Sequence, residues 1–211
     1  MNLLENPIVR GISRIADFVI LNLLWLICSL PIITIGASTT ALYSVMLKLV
    51  KNEEGYIAKG FLKAFKENFK QSTLMWLLFI VLWSILIIDF FSLKFMPEGF
   101  APIFQVLFLV MGSLLVGMQT YAFSLQARFE NSIKNTLKNA LLLVFAKLPY
   151  TLLILIMSIG PVIATMWTIR TLMLGMLFWF FVGAALIAWL NSLLLRHIFD
   201  KLEEPDPQET V

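Results

Sequence analysis

Residues 18–47 read FVILNLLWLICSLPIITIGASTTALYSVML, 30 positions without an Asp, Glu, Lys or Arg. At ~1.5 Å per residue an unbroken helix of this length would reach about 45 Å, against roughly 30 Å of bilayer hydrocarbon. The run is also interrupted at its centre. Pro31 removes a backbone donor and strains the preceding turn, Gly36 permits a change of direction, and Ser38, Thr39 and Thr40 suit a helix start. The stretch therefore predicts a helical hairpin with one arm near 12–33 and a second near 38–51. The second arm is short, which suits a shallow or re-entrant hairpin. The alternative is a single kinked, tilted helix.

Four more charge-free stretches follow, at 71–88, 99–127, 148–169 and 171–195. They predict spans near 71–93, 103–126, 148–169 and 171–195, each long enough for one crossing. The chain is 60% hydrophobic and 14% charged, where soluble domains run to about 45–50% and 25%. Mean hydropathy is +0.89. A disordered chain lacks such hydrophobicity, and one Cys cannot build a disulfide scaffold. The expected fold is an all-α polytopic transmembrane bundle of five to six spans, with two amphipathic interfacial helices on the cytoplasmic side. Residues 1–202 form one membrane domain, and 203–211 form a flexible acidic tail. Of the 16 Lys and Arg, the hairpin topology places 14 inside and leaves Lys94 and Arg170 outside, as expected of cytoplasmic loops. Both termini then face the cytoplasm of a multi-pass cell membrane protein. No cleavable signal peptide is expected.

The two interfacial helices are expected near 57–70 and 128–146. Phe61, Phe65 and Phe69 recur every four residues, flanked by Lys59, Lys63, Lys66 and Lys70. Phe129, Ile133, Leu137 and Leu141 make a second stripe, with Asn131, Lys134, Asn135 and Lys138 off it. Such stripes lie along a bilayer surface, with the Lys reaching anionic lipid of the inner leaflet, or they dock a protein partner. The candidate contact residues are Phe61, Lys63, Phe65, Lys66, Phe69, Lys70, Arg128, Phe129, Glu130, Lys134 and Lys138. A nucleic-acid site is not expected. Shifted by 68 residues, 61–70 overlays 129–138 with Phe, Lys and Lys coinciding, which hints at an internal repeat.

Catalytic patterns are missing. One His (His197) and one Cys (Cys28) supply no metal cluster, and no metalloprotease, nucleophile-elbow or phosphate-loop motif occurs. No enzyme activity, metal or cofactor is expected. Asn22, Gln119 and Asn191 are possible polar sites within the spans, fitted either to hold helices together or to line a substrate path. Glu130, with Thr136 six residues on and Leu148-Pro149 beyond, stands at the spacing of the ATPase-docking loop of ABC-importer permeases. There, however, Ala would follow the Glu and Gly would stand at the Thr136 position.

Three blocks together resemble the YesL family, a bacterial membrane family of unknown function. They are Leu24-Trp25 with Ser29-Leu30-Pro31 through Tyr43, Phe65 through Gln71, and Ala127 through Ala140. The resemblance implies a Gram-positive cytoplasmic membrane and genes often beside carbohydrate ABC importers. It implies no assigned activity and no catalytic residue. The resulting expectation is a non-enzymatic accessory or regulatory component that contacts carbohydrate ABC transporter subunits. The alternative is a small-solute transporter or a degenerate permease-like subunit.

Overall fold

A computed structural model describes residues 7–53, 55–95 and 100–203, with side chains from residue 13 onward. The 203–211 tail lies outside these residues from position 204. Eight α-helices follow one another, and no strand occurs among the described residues: α1 Pro7–Ser29, α2 Ile35–Leu49, α3 Ile57–Ser92, α4 Ala101–Arg128, α5 Ile133–Ala146, α6 Leu148–Met166, α7 Ile169–Phe178 and α8 Ala184–Glu203. Short 3₁₀ turns at Ile32–Thr34 and Leu93–Phe95, and a π-turn at Trp179–Gly183, join or interrupt them. Among the described residues, five helical stretches are candidates by length and composition to cross a membrane: 57–95, 101–128, 148–166, 169–203 and, at the lower limit with 18 residues, 32–49.

Residues 12–51 form the hairpin and not one kinked helix. Arg14 near the start of α1 donates to Asn52 Oδ1 just past the end of α2, and Trp25 Nε1 donates to Thr39 Oγ1 at 3.2 Å, so the arms run antiparallel. The turn is made by Leu30–Thr34, where Pro31 is extended (φ −74°, ψ 113°). Thr34 Oγ1 donates to the carbonyls of Cys28 (2.6 Å) and Pro31 (2.7 Å).

Gly36 is not a turn residue. It sits in the first turn of α2, without a positive φ. Its missing side chain lets α3 approach: a Cβ there would stand 2.4 Å from the Ser72 carbonyl oxygen and 2.5 Å from Trp76 Cβ. Ser38, Thr39 and Thr40 are likewise inside α2 rather than at its start. Thr40 Oγ1 and Ser72 Oγ share a buried hydrogen bond of 2.8 Å. These small residues make α2 the centre of the bundle, with Ala37, Ala41, Met46 and most of their neighbours buried under α1, α3, α4 and α8.

The first interfacial helix does not exist as a separate element. Residues 57–70 are the opening turns of α3, a 36-residue helix without a break. At ~1.5 Å per residue it is about 54 Å long, so its Lys-rich first part projects beyond what ~30 Å of hydrocarbon can hold. The Phe stripe is covered by protein. Phe61 is fully buried, Phe65 packs on the core, and only Phe69 is exposed, at 41%. The second stripe is rotated from the expected one. α5 lies antiparallel on the end of α4 and buries Thr136, Ala140, Leu143 and Val144, while Leu141 is 46% exposed. Phe129 is not in that helix. It caps α4 in an extended conformation, so the 68-residue overlay with helical Phe61 is not matched in structure.

Candidate functional site

The Lys- and Arg-rich end of the bundle holds a cleft of about 850 Å³. Its walls are the last turns of α2, the first half of α3, the end of α4 with the 129–132 loop, and α8. Sequence alone dictates the charges that line it. Each helix leaves its apolar run here, and each places polar residues at the exit: Lys48, Lys70 and Gln71, Gln126 and Arg128, Arg196. Glu53, Glu67 and Glu130 complete a lining of mixed sign.

Two networks fix the cleft. In the first, Gln126 Nε2 donates to Gln71 Oε1 at 2.6 Å and to Asn68 Oδ1 at 3.3 Å, tying α4 to α3. In the second, Arg128 gathers the end of α8. It bonds Asp200 at 3.0 Å and pairs with Glu203, and its side chain is only 13% exposed. Lys51 reaches Asp200 at 3.2 Å, and Arg196 faces Asp200 at 3.0 Å from one turn back. The Arg128 guanidinium also lies over Phe129, whose ring meets Phe199 edge-on at 5.5 Å.

Arg128, Asp200 and Glu203 lie beyond the charge-free runs, so their ionisation answers to water as well as to each other. The hydrogen bond from Arg128 holds Glu203 below its ordinary value of 4.5. Burial alone would raise Asp200. The hydrogen bond from Lys51 and the charges of Arg196, Lys51 and Arg128 together outweigh it and leave the carboxyl lowered. Both carboxylates therefore favour the folded state above the usual carboxylate range. That contribution is lost as pH falls through their lowered folded values. The expected result is a melting temperature in detergent that holds from neutral pH to about pH 5 and drops on further acidification. In an Arg128→Met variant, scanned the same way, the drop is expected to shrink.

The expected contact residues divide into four sets, apart from Phe69, which is exposed on α3. Lys70, Arg128, Phe129 and Glu130 line the cleft. Lys63 and Lys66 are exposed along α3, with Lys63 only 3.8 Å from Glu67 in a solvated pair. Lys134 and Lys138 are exposed on α5 and do not line the cleft. Phe61 and Phe65 are buried or partly buried and cannot be contact residues as the bundle stands. Thr136, at the Gly position of the permease-like spacing, is buried against α4 with its hydroxyl directed at Gln126 Oε1.

The three intramembrane polar positions hold helices together. Asn22 is fully buried and bonds the π-turn through Trp179 O and Phe180 O. Gln119 Oε1 accepts from Trp83 Nε1 at 3.2 Å. Asn191 Nδ2 donates to Ser158 at 3.0 Å and to Tyr43 at 3.3 Å, while its Oδ1 is buried without a hydrogen-bond partner among the described residues.

Sequence reasoning did not find Lys51, Gln126, Asp200 or Glu203. Only the Arg196–Asp200 spacing of four carried a signal.

Residues 18–90 match a family model described as "Protein of unknown function, DUF624". The matched segment covers about one third of the chain. It comprises the second half of α1, all of α2 and most of α3, which are the hairpin and the long helix packed on it. The Leu24–Tyr43 and Phe65–Gln71 blocks fall inside it, in agreement with the resemblance to the YesL family, and the Ala127–Ala140 block falls beyond it. The chain is also 29% identical over 156 residues to the "Uncharacterized protein YteU" of Bacillus subtilis (strain 168), covering 72% of this chain and 70% of that protein. No solved structure matches.

Proposed function

We propose that this membrane protein is a non-enzymatic accessory component of carbohydrate ABC import, and that it engages transporter subunits at its basic end. That end faces the cytoplasm in this reading, with both termini inside a bacterial cell membrane. The observation that carries the proposal is the cleft of about 850 Å³, framed by the unbroken α3 helix that extends past it. An extended helix of this kind presents Lys59, Lys63 and Lys66 at fixed spacing, away from the spans, with Lys70 at the cleft edge. Phe61 and Phe65 beneath them are packed on the core, so the arm is braced and its Lys are left for a partner with acidic groups. Asn22, Gln119 and Asn191 bridge helices, which favours this reading over a solute path through the bundle.

The test is co-purification. Charge reversal of Lys63, Lys66 and Lys70 to Glu is expected to lower recovery of permease and ATPase subunits from solubilised native membranes at least tenfold, with thermal stability near wild type because these side chains are solvent-exposed. Equal recovery with the triple variant would remove the α3 arm from the interface. Sugar uptake unaffected by deletion of the whole protein would remove the accessory role.

A further inference from the structure

The hairpin tip is an exposed apolar turn. Leu30 is 79% exposed, Ile32 67% and Ile33 54%, with Ile27 at 62% just before them. No charged residue lies between Phe18 and Leu47. A turn that emerges into water has no use for such a surface, nor for the polar closure seen here. Thr34 Oγ1 accompanies the Cys28 and Pro31 carbonyls, and Trp76 Nε1 donates to the Ile32 carbonyl at 2.7 Å. Backbone groups outside regular helix must find partners of this kind when water is absent.

Two lengths point the same way. From Asp17 to Leu30, and from Ile35 to Lys48, each arm has only about 20 Å of charge-free helix at ~1.5 Å per residue, short of roughly 30 Å of hydrocarbon. The helices packed on the tip continue past it. Trp76 of α3 and Phe123 of α4 meet at Gly36. Beyond that level α3 runs on through 77–92 and α4 back through 101–122, about 24 Å and 33 Å of helix respectively. Most exposed residues there are apolar as well, among them Ile85, Ile103, Val106 and Leu109, with Ser84, Asp89, Ser92 and Gln105 as exposed polar exceptions.

We propose that α1 and α2 form a re-entrant hairpin whose tip, Leu30–Ile33, is seated among lipid acyl chains and never reaches the water on the far side. Crossing of the bilayer then falls to α3, α4, α6 and α7–α8, while both ends of the hairpin stay at the basic face. The proposal concerns only where the tip sits and does not depend on the partner contacts proposed above.

The test places single cysteines in the full chain, with Cys28→Ala as background. Leu30→Cys and Ile33→Cys are compared with Lys94→Cys at the far end and Lys63→Cys on the basic arm. A charged, membrane-impermeant maleimide is applied to intact cells and to inverted vesicles. Lys94→Cys is expected to react from one side and Lys63→Cys from the other. Both tip cysteines are expected to react at least tenfold more slowly from either side, yet fully after unfolding in SDS. A nitroxide on Leu30→Cys should collide with oxygen in preference to an aqueous nickel chelate, as is expected of one on Ile85→Cys. Because Leu30 is largely exposed, its replacement leaves the packing intact, and Ile33→Cys is the second reporter. Labelling of either tip cysteine in the native protein at the rate of Lys94→Cys or Lys63→Cys would overturn the proposal, as would a nitroxide that favours the nickel chelate.

Discussion

Gly36→Ala is expected to destabilise the protein more than any other single-methyl change in it. The added Cβ would fall 2.4 Å from the Ser72 carbonyl oxygen, 2.5 Å from Trp76 Cβ and 3.1 Å from the Phe123 ring. The first two are backbone and a first side-chain carbon, which no rotamer change can move. Relief requires α3 to back away from α2. That motion stretches the Thr40–Ser72 hydrogen bond at 2.8 Å and the Trp76–Ile32 bond at 2.7 Å, since both lie on the same contact face. Forced overpacking of this kind costs about 1–3 kcal/mol, and more where backbone must shift. Thermal unfolding in detergent should show a clear loss for Gly36→Ala. Gly160→Ala, which meets nothing within 4 Å, should show none. Equal melting of the two variants would mean that α2 and α3 are not in close contact at Gly36.

The same glycine shows where sequence reasoning stops. A glycine that turns a chain and a glycine that admits a neighbouring helix look identical in a string. The difference lies in Ser72 and Trp76, more than 30 positions away. The break itself was legible because Pro31 cannot continue a helix whatever packs on it. The Phe61–Phe65–Phe69 periodicity was legible as one helix face, but periodicity does not say whether that face meets lipid or protein. Lipid and α2 are equally apolar, and the choice went to α2 because its small residues let α3 come close. The continuity of 57–70 with 71–92 was hidden for a related reason. A change from charged to apolar composition resembles an element boundary, yet no Pro or Gly lies between Phe61 and Ser92 to break the helix.

At the candidate site, Arg128 and the exposed Lys residues were visible because a basic end to a membrane bundle follows from charge counting. Asp200 and Glu203 were not, because their meaning depends on a helix that begins more than 50 residues after Arg128. Charge counting registers a carboxylate near a terminus only as tail acidity. In the folded chain these two carboxylates cancel much of the field of Arg128 and tie the end of α8 to the end of α4.

Asn22→Leu tests whether a buried amide in this bundle serves structure or passage. Asn22 lies 157 residues from its partner Trp179, and it meets the one stretch where the α7–α8 path departs from regular α-helix. A π-turn displaces carbonyls from their usual donors. Asn22 Nδ2 supplies donors to Trp179 O at 3.0 Å and Phe180 O at 2.7 Å, while its Oδ1 accepts from Ala185 N at 3.1 Å. Leucine keeps the volume and removes all three bonds. Interhelical bonds in membranes average ~0.6 kcal/mol each, so three give about 2 kcal/mol, and more if the carbonyls stay unpaired. The Asn22→Leu variant should therefore melt well below wild type. Deletion of Phe181 in the same chain should restore part of the loss, because a shortened turn can return to regular α-helical pairing and no longer needs the amide. An amide that served a solute path would behave in the opposite way. Its removal would leave melting unchanged, reduce flux in proteoliposomes, and show no coupling to the length of the 179–183 turn.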